Sequence, residues 1–145
     1  MALMDTNAII LKYLTTSSLL TNPLLALIKT GMVTRIYCPR APENAALPNV
    51  TFFTRGGKSD PDVVHIFSPS VQFDCWADNP IKAREVYRTL YDALQGVGNA
   101  QVVVNGATCY ITKAREEVQG QDLVDEIPGY FRVLAFFQVT VRDNL

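Results

Sequence analysis

The stretch that decides the fold is Val71–Pro80, which reads Val-Gln-Phe-Asp-Cys-Trp-Ala-Asp-Asn-Pro. Its first eight residues alternate between apolar and polar or bulky side chains, as in a β-strand, whose side chains point to opposite faces in turn. One predicted face is apolar and includes Cys75, whereas the other carries Asp74 and Trp76. The thiol and its neighbours therefore do not converge on one point, and we interpret the segment as the joint between a strand and a helix.

A helix is predicted directly after this strand, because proline is favoured at the first helical position and Asn79-Pro80 stands there. Apolar residues then recur at helical spacing, and Gly96 ends the pattern. Two more helices are predicted near the start of the chain. The first is capped by Asp5, and the shorter second has Pro23 at its first position and Gly31 past its end.

Five regions in all predict strands, including the one that contains Val71–Asp78, and together with the helices they define the fold class. These are Thr34–Cys38, Asn49–Arg55, Val63–Asp78, Gln101–Lys113 and Tyr130–Arg142. A proline-rich loop over 39–48 separates the first two, a turn is predicted at Gly56–Pro61, and the charged residues 114–129 are predicted as an extended hairpin or loop. We predict one α+β domain spanning 1–145, in the order ααβββαββ, with helices on one face of a mainly antiparallel sheet of about five strands.

Composition limits the possible partners. The chain has 145 residues, 13 of them basic and 14 acidic, for a formal net charge of −1. Such a balance argues against a protein that grips nucleic acid or a membrane surface by charge. Met1–Thr6 lacks the features of a signal peptide, and apolar runs such as Leu24–Ile28 are too short to span a bilayer. We expect a protein made in the cytoplasm that remains there or in a particle assembled there.

No group of residues predicts catalysis or a cofactor. The Gly56–Ser59 segment lacks the earlier glycine and the following helix of a phosphate-binding loop. His65 is the only histidine and has no nucleophile motif beside it, so a structural histidine is the preferred interpretation. The three cysteines, Cys38, Cys75 and Cys109, each share a face with apolar neighbours and are predicted to be reduced core residues instead of zinc ligands. We therefore predict a protein without metal or cofactor that is not an enzyme.

Two surfaces are predicted to meet a partner. The last strand has one wholly apolar face, while its other face mixes Tyr130, Leu134 and Phe136 with polar residues, which suggests that another subunit covers it. The alternative is that these side chains simply remain at the surface, as scattered apolar residues often do. The acidic residues of the charged segment lack calcium-loop spacing and are predicted to form a solvated or partner-facing arm, comprising Glu116, Glu117, Asp122, Asp125 and Glu126.

The order of elements and several segments resemble one protein family. The segments are the strand–helix unit Ser70–Val86 with Leu90–Gly96 after it, the strand Thr34–Cys38, the proline-rich loop before Val50–Phe53, and the aromatic strand Tyr130–Val133. They resemble the tail completion, or tail terminator, proteins of long-tailed bacteriophages, and the resemblance covers nearly the whole chain.

The resemblance implies a structural virion protein. Members of this family form a homohexameric ring at the head-proximal end of the tail tube, stop tube polymerisation and join the tail to the head connector, and DNA passes through the lumen. The implied partners are copies of the chain itself, the tail tube protein and a head completion or connector protein. Under this interpretation the acidic arm faces the lumen or the head-side partner, and Trp76, Tyr130, Leu134 and Phe136 contribute to the subunit interface.

Two alternatives remain open at this stage. The first is another head–tail connector, such as a head completion or stopper protein, or a minor capsid component. The second comes from a different class, a small cytoplasmic enzyme whose site uses His65.

Overall fold

The computed structural model describes residues 5–42, 45–59, 66–124 and 130–143. His65, Asp125 and Glu126 lie outside these ranges. The described helices are α1 (Thr6–Thr15), α2 (Asn22–Ile28) and α3 (Pro80–Gln95). The described strands are β1 (Lys29–Thr30), β2 (Val33–Thr34), β3 (Ile36–Tyr37), β4 (Asn49–Ser59), β5 (Ile66–Ala77), β6 (Ala100–Val104), β7 (Ala107–Val124) and β8 (Phe131–Asp143).

The main sheet contains six strands in the order β3-β4-β5-β8-β7-β6, and β1 and β2 form a separate small hairpin. Strands β3 and β4 run parallel, and every other neighbouring pair of the main sheet is antiparallel. The predicted α+β class and the mainly antiparallel sheet are confirmed. The expected strand number of about five is one too low for the main sheet.

The additional strand arises at a hairpin that was predicted as one continuous strand, Gln101–Lys113. Asn105 and Gly106 both have positive φ, 50° and 80°, and lie between β6 and β7. Two central residues of positive φ are the requirement of a type I′ turn, and Asn-Gly is its preferred sequence. The chain therefore reverses there, and β6 pairs back onto β7.

One other local prediction is corrected. The turn predicted at Gly56–Pro61 begins as strand, because β4 continues to Ser59. The register of β4 shifts between Thr54 and Gly57, where Gly56 has φ +97°, which is a β-bulge of the kind that glycine allows.

The extended hairpin or loop predicted at 114–129 stays a prediction, because residues 125–129 lie outside the described ranges. Its described part, 114–124, belongs to β7, which pairs with β8 in antiparallel fashion.

The core lies on the sheet face that the helices cover. Phe52, Phe73 and Phe137 are fully buried there, on β4, β5 and β8. The rings of Phe52 and Phe73 stack with centroids 5.6 Å apart, and Phe137 meets Phe73 edge-on at the same separation. Helix α3 packs on this face against β5, β7 and β8. Truncating one such buried aromatic to alanine lowers the free energy of unfolding by about 3–5 kcal/mol. The packing of these three rings is therefore a large part of the stability of a domain of this kind.

Helix α1 bridges the two ends of the sheet. It contacts β6 at one edge and β3 and β4 near the other, so the sheet is curled around it. Tyr13 of α1 donates its hydroxyl proton to the carbonyl of Ala93, with 2.6 Å between the oxygens. Ala93 belongs to the last turn of α3, where carbonyl groups lack intrahelical partners. The phenol therefore ties α1 to α3 and satisfies one of these carbonyls.

We expect Tyr13→Phe to lower the free energy of unfolding by about 0.5–1.5 kcal/mol, because it removes the buried hydrogen bond but keeps the ring. Urea denaturation followed by circular dichroism measures the change. Tyr91→Phe is the matched control, since Tyr91 packs its ring against Phe137 while no hydrogen bond of its hydroxyl occurs among the described residues. Equal stability changes in the two variants would contradict the role of Tyr13.

Candidate functional site on the outer face of the sheet

The sheet face turned away from the helices, which we call the outer face, carries a connected set of polar and aromatic side chains. Asp74 is paired across the strands with Leu134 and Trp76 with Arg132, and these side chains alternate with the core residues of β5 and β8. Trp76, Arg132 and Leu134 are half-buried. The predicted separation of Asp74 and Trp76 from Cys75 is confirmed, because Cys75 is fully buried in the core.

Arg132 links two parts of the outer face. Its Nη1 donates to Asp74 Oδ1 at 3.1 Å, and its guanidinium lies over the Trp76 ring at 5.3 Å from the centroid. Trp76 in turn donates its indole N–H to Thr51 Oγ1 at 3.1 Å. An arginine over an aromatic face gains cation–π attraction, worth about 0.5–1 kcal/mol at exposed sites. Contacts from both neighbouring strands, Thr51 of β4 and Arg132 of β8, thus hold the Trp76 ring of β5 in one orientation.

Arg55 makes a second arrangement of the same kind. Its guanidinium lies 5.4 Å from the centroid of the Phe136 ring, and its Nη1 donates to Gln72 Oε1 at 3.3 Å. Gln72 connects Arg55 to the Asp74–Arg132 pair, because its Nε2 donates to Asp74 Oδ2 at 3.2 Å. Two aromatic side chains on this face, Trp76 and Phe136, are therefore covered in part by an arginine of the same chain.

Asp74 is the most buried charged group on the outer face, with 5% of its surface exposed. Burial raises the pKa of its carboxyl above the usual value, while the hydrogen bond from Gln72 and the charge and hydrogen bond of Arg132 act in the opposite direction. Desolvation of a carboxylate disfavours its charged form, and a nearby cation favours it. The desolvation effect is the larger one here.

The described parts of the proline-rich loop, 39–42 and 45–48, lie over the outer face. Between them and the strands lies a pocket of about 630 Å³ that is open to solvent. Pro39, Arg40, Pro42 and Leu47 form the loop side, and the strands contribute aromatic walls from Phe53, Trp76 and Tyr130. Arg35 supports the loop from the sheet edge, since its Nε donates to the carbonyl of Pro48 at 2.8 Å and its Nη2 to that of Leu27 at 3.0 Å. A pocket of this size, about 300–1,000 Å³ with mixed aromatic and polar walls, is typical of a binding site.

Asn49 belongs to the wall of this pocket and has an unsatisfied atom. Its Nδ2 donates to the carbonyl of Ala46 at 3.1 Å, and its residue is 3% exposed. Its Oδ1 is buried and accepts no hydrogen bond from the described residues. Buried side-chain acceptors are normally paired, so an unpaired one in a pocket wall indicates a place for a donor from another molecule.

The sequence-predicted interface residues share this face. Trp76, Leu134 and Phe136 project from it, and Tyr130 lies at the pocket wall beside Trp76. All four are half-buried. Their role in a subunit interface stays a prediction. The pocket, Arg40 and Asn49 were not identified from the sequence, because no local pattern shows that the loop returns across β4 and β5.

The described acidic residues do not form a single cluster. Glu116 accepts a hydrogen bond from the Tyr87 hydroxyl, and Asp122 lies 3.5 Å from Arg84 Nε, so both engage helix α3. Glu117 instead accepts from Ser70 Oγ at 2.6 Å. All three are located within β7, a strand paired with β8, and not in a free arm. Whether they face a lumen or a partner stays a prediction.

A close contact between α3 and β7 holds this acidic strand in place. The Gly120 N–H donates to the Tyr87 hydroxyl at 3.1 Å, and Arg84 Nη1 donates to the Gly120 carbonyl at 3.1 Å. A β-carbon at Gly120 would lie 2.7 Å from Tyr87 Cζ and 2.9 Å from Arg84 Nη1. Only glycine permits this approach, which explains why it stands within an otherwise charged strand.

The described residues provide no evidence of catalytic chemistry. Burial raises the pKa of the Cys38 and Cys75 thiols, which keeps them protonated and poorly nucleophilic. Among residues 5–42, 45–59, 66–124 and 130–143, no group of three or more histidine, cysteine, aspartate or glutamate residues is arranged to hold a metal ion. None of the helices described in the structure is long and apolar enough to cross a membrane.

We expect Gly120→Ala to destabilise the fold by about 1–3 kcal/mol, because the new methyl group must displace Tyr87 or Arg84. The cost should shrink in a Tyr87→Ala background, where the space is open. Urea denaturation of the four proteins of this double-mutant cycle measures the coupling. Gly98→Ala is the control, since no atom would lie within 4 Å of its β-carbon. An unchanged cost in the Tyr87→Ala background would contradict the close packing.

We expect the stability of the protein relative to an Asp74→Asn variant to fall as pH rises from about 3.8. The folded-state pKa of Asp74 lies above the unfolded value of 3.8, so its stabilising protonation is complete below that pH and lost as pH rises through the folded pKa. Urea unfolding between pH 3.5 and pH 7 gives the difference at each pH, with Asp92→Asn, an exposed carboxylate on α3, as control. If the wild type instead became more stable than Asp74→Asn as pH rises, the pairing of Asp74 with Arg132 would outweigh the desolvation of the carboxylate, and the prediction would be wrong.

Comparison with known proteins places the fold. No protein-family model matches the chain, and no curated protein matches it. Among solved structures, it is similar to a chain of the virion of a native gene transfer agent particle, with a TM-score of 0.59 and 16% sequence identity. The likeness covers 94% of this chain and 94% of that chain. The whole α+β arrangement is therefore shared with a chain found in a virion.

Proposed function

We propose that the protein is a structural component of a phage-like virion that forms a ring at the head-proximal end of the tail. In this role it ends polymerisation of the tail tube and joins the tail to the head connector, while DNA passes through the lumen. The observation that carries the proposal is the likeness over 94% of both chains to a chain of a gene transfer agent virion. The resemblance of the sequence segments to tail terminator proteins supports the specific position.

The two faces of the sheet support a subunit that assembles with neighbours. Helices cover one face, whereas the outer face presents half-buried aromatic residues and an open pocket. Interfaces between subunits are enriched in aromatic residues and arginine, and Trp76, Phe136 and Arg132 lie together on the outer face. A ring places such a face against the next copy.

The charge of the chain supports passage of DNA instead of its retention. A net charge of −1 does not provide the cluster of phosphate contacts that gives proteins their affinity for DNA. Of the three described acidic residues of β7, Glu116 is engaged with Tyr87 and Asp122 pairs with Arg84, while Glu117 is exposed and accepts only from the Ser70 hydroxyl. Glu117 is therefore the residue that would repel DNA from a lumen surface in the assembled ring.

The test is the mass of the purified protein in solution, alone and with preformed tail tubes, by light scattering combined with negative-stain imaging. We expect a closed ring, of six copies by the family resemblance, free or on one end of each tube, and tubes that no longer elongate. Phe136→Ala should weaken the ring, whereas Leu19→Ala, which changes a fully exposed residue away from the outer face, should not.

The possible outcomes separate the candidate roles. A stable monomer that does not bind tubes would contradict the proposal. A ring that binds the head connector but leaves tube growth unchanged would instead place the protein in another layer of the neck, as a head completion or stopper protein. Circular dichroism of each variant establishes that a loss of assembly is not a loss of folding.

A further inference from the structure

We propose that neighbouring copies join by inserting the first turn of α3 of one copy into the outer-face pocket of the next. This contact rests on the proposed function, since it is the contact between subunits of the ring. The inserted turn, which we call the knob, comprises Asp78–Ile81, and the pocket under the proline-rich loop is its socket.

The knob is an apolar projection with a carboxylate beside it. Ile81 is 82% exposed, and Asp78, Asn79 and Pro80 are exposed as well. Asp78 accepts a hydrogen bond from its neighbour Asn79 at 3.1 Å and forms no ion pair with any described residue. The backbone N–H of Ile81 is in the first helical turn and has no intrahelical acceptor.

The socket has the opposite properties. Its aromatic walls, Phe53, Trp76 and Tyr130, accommodate an aliphatic side chain. Arg40 at its rim is exposed, and among the described residues it forms no ion pair, so it provides an available positive charge for Asp78. Charge and apolar surface are therefore complementary between knob and socket.

The position of the two parts favours a second copy of the chain as the occupant. α3 packs on the core face of the sheet, whereas the socket lies on the outer face, and Ile81 is exposed, so a chain does not fill its own socket. A contact between two different surfaces of the same protein is heterologous, and it produces a ring when the rotation between copies closes.

The test is a charge exchange between knob and socket. Arg40→Asp and Asp78→Arg should each weaken ring assembly roughly tenfold or more, because each sets like charges against one another across the contact. The variant carrying both changes should regain most of the wild-type assembly. Mass measurement by light scattering across a dilution series gives the concentration at which rings dissociate.

Two exposed charges provide matched controls. Asp92→Arg changes another acidic residue of α3, and Lys113→Asp changes a basic residue of β7, and neither residue belongs to the knob or the socket. These variants should assemble at the wild-type concentration. Equal weakening by the controls would overturn the proposal, since it would show a general effect of charge.

A mixing experiment adds a second result that the contact between knob and socket predicts. Arg40→Asp and Asp78→Arg subunits should assemble together when mixed, because the altered knob of one meets the altered socket of the other at one contact, and the two unaltered surfaces meet at the next. The resulting rings alternate the two subunits and contain an even number of them.

The failure of this contact can be distinguished from the failure of the proposed function. If wild-type rings form but the double variant and the mixture stay as weak as the single variants, the contact is wrong and the ring function stands. If the wild type forms no ring even at tube ends, the ring function is wrong, and the contact is overturned with it.

Discussion

The packing of Phe52, Phe73 and Phe137 across three strands fixes the register of the sheet, and both of its faces depend on that register. Side chains alternate along a strand, so a slip of one residue would exchange the core face for the outer face. Phe73 and Cys75 would then point outward, and Asp74 and Trp76 would enter the core. The buried aromatic cluster thus determines where the Asp74–Arg132 pair and the pocket walls lie.

The curling of the sheet around α1 limits how much of the two sheet edges is exposed. An open sheet has two edges with unpaired backbone groups, and such edges invite unwanted pairing with other chains. Here β3 is two residues long and β6 five, and α1 lies against both. The Tyr13–Ala93 hydrogen bond connects the same helix to α3. The structure therefore leaves the faces and projections of the domain, and not the sheet edges, as the surfaces available to other chains.

Local sequence signals predicted the fold class and the β5–α3 joint, since strict alternation and Asn79-Pro80 act within a few residues. The Asn79 side chain indeed accepts from the N–H of Lys82 and caps α3. The Asn105-Gly106 turn was missed although its sequence is a strong hairpin signal, because the apolar run on both sides suggested one strand. The bulge at Gly56 was missed for a similar reason, as paired glycines also occur in turns.

The candidate site depended on contacts that sequence patterns do not record. Alternation placed Trp76, Leu134 and Phe136 on the outer side of their strands, but Arg132 and Asp74 are 58 positions apart and meet only because β5 pairs with β8. The loop that closes the pocket is positioned by Arg35, whose partners lie in three different segments. The acidic residues of β7 do not lie in one cluster, because the pairing register of β7 with β8 shifts between Glu116 and Gln121. The contact of Gly120 with Tyr87 holds that irregular part of the strand against α3.

The arginines over Trp76 and Phe136 have a consequence for the chain before it assembles. Bare aromatic rings on a sheet face promote non-specific aggregation, especially when many copies are synthesised at once. A guanidinium stacked on each ring replaces part of that surface with a hydrated charge, while its aliphatic stem covers apolar neighbours. Arg132 is also paired with Asp74, so two contacts at once hold its guanidinium over the Trp76 ring. The isolated chain therefore exposes less bare aromatic surface than an outer face without these two arginines would.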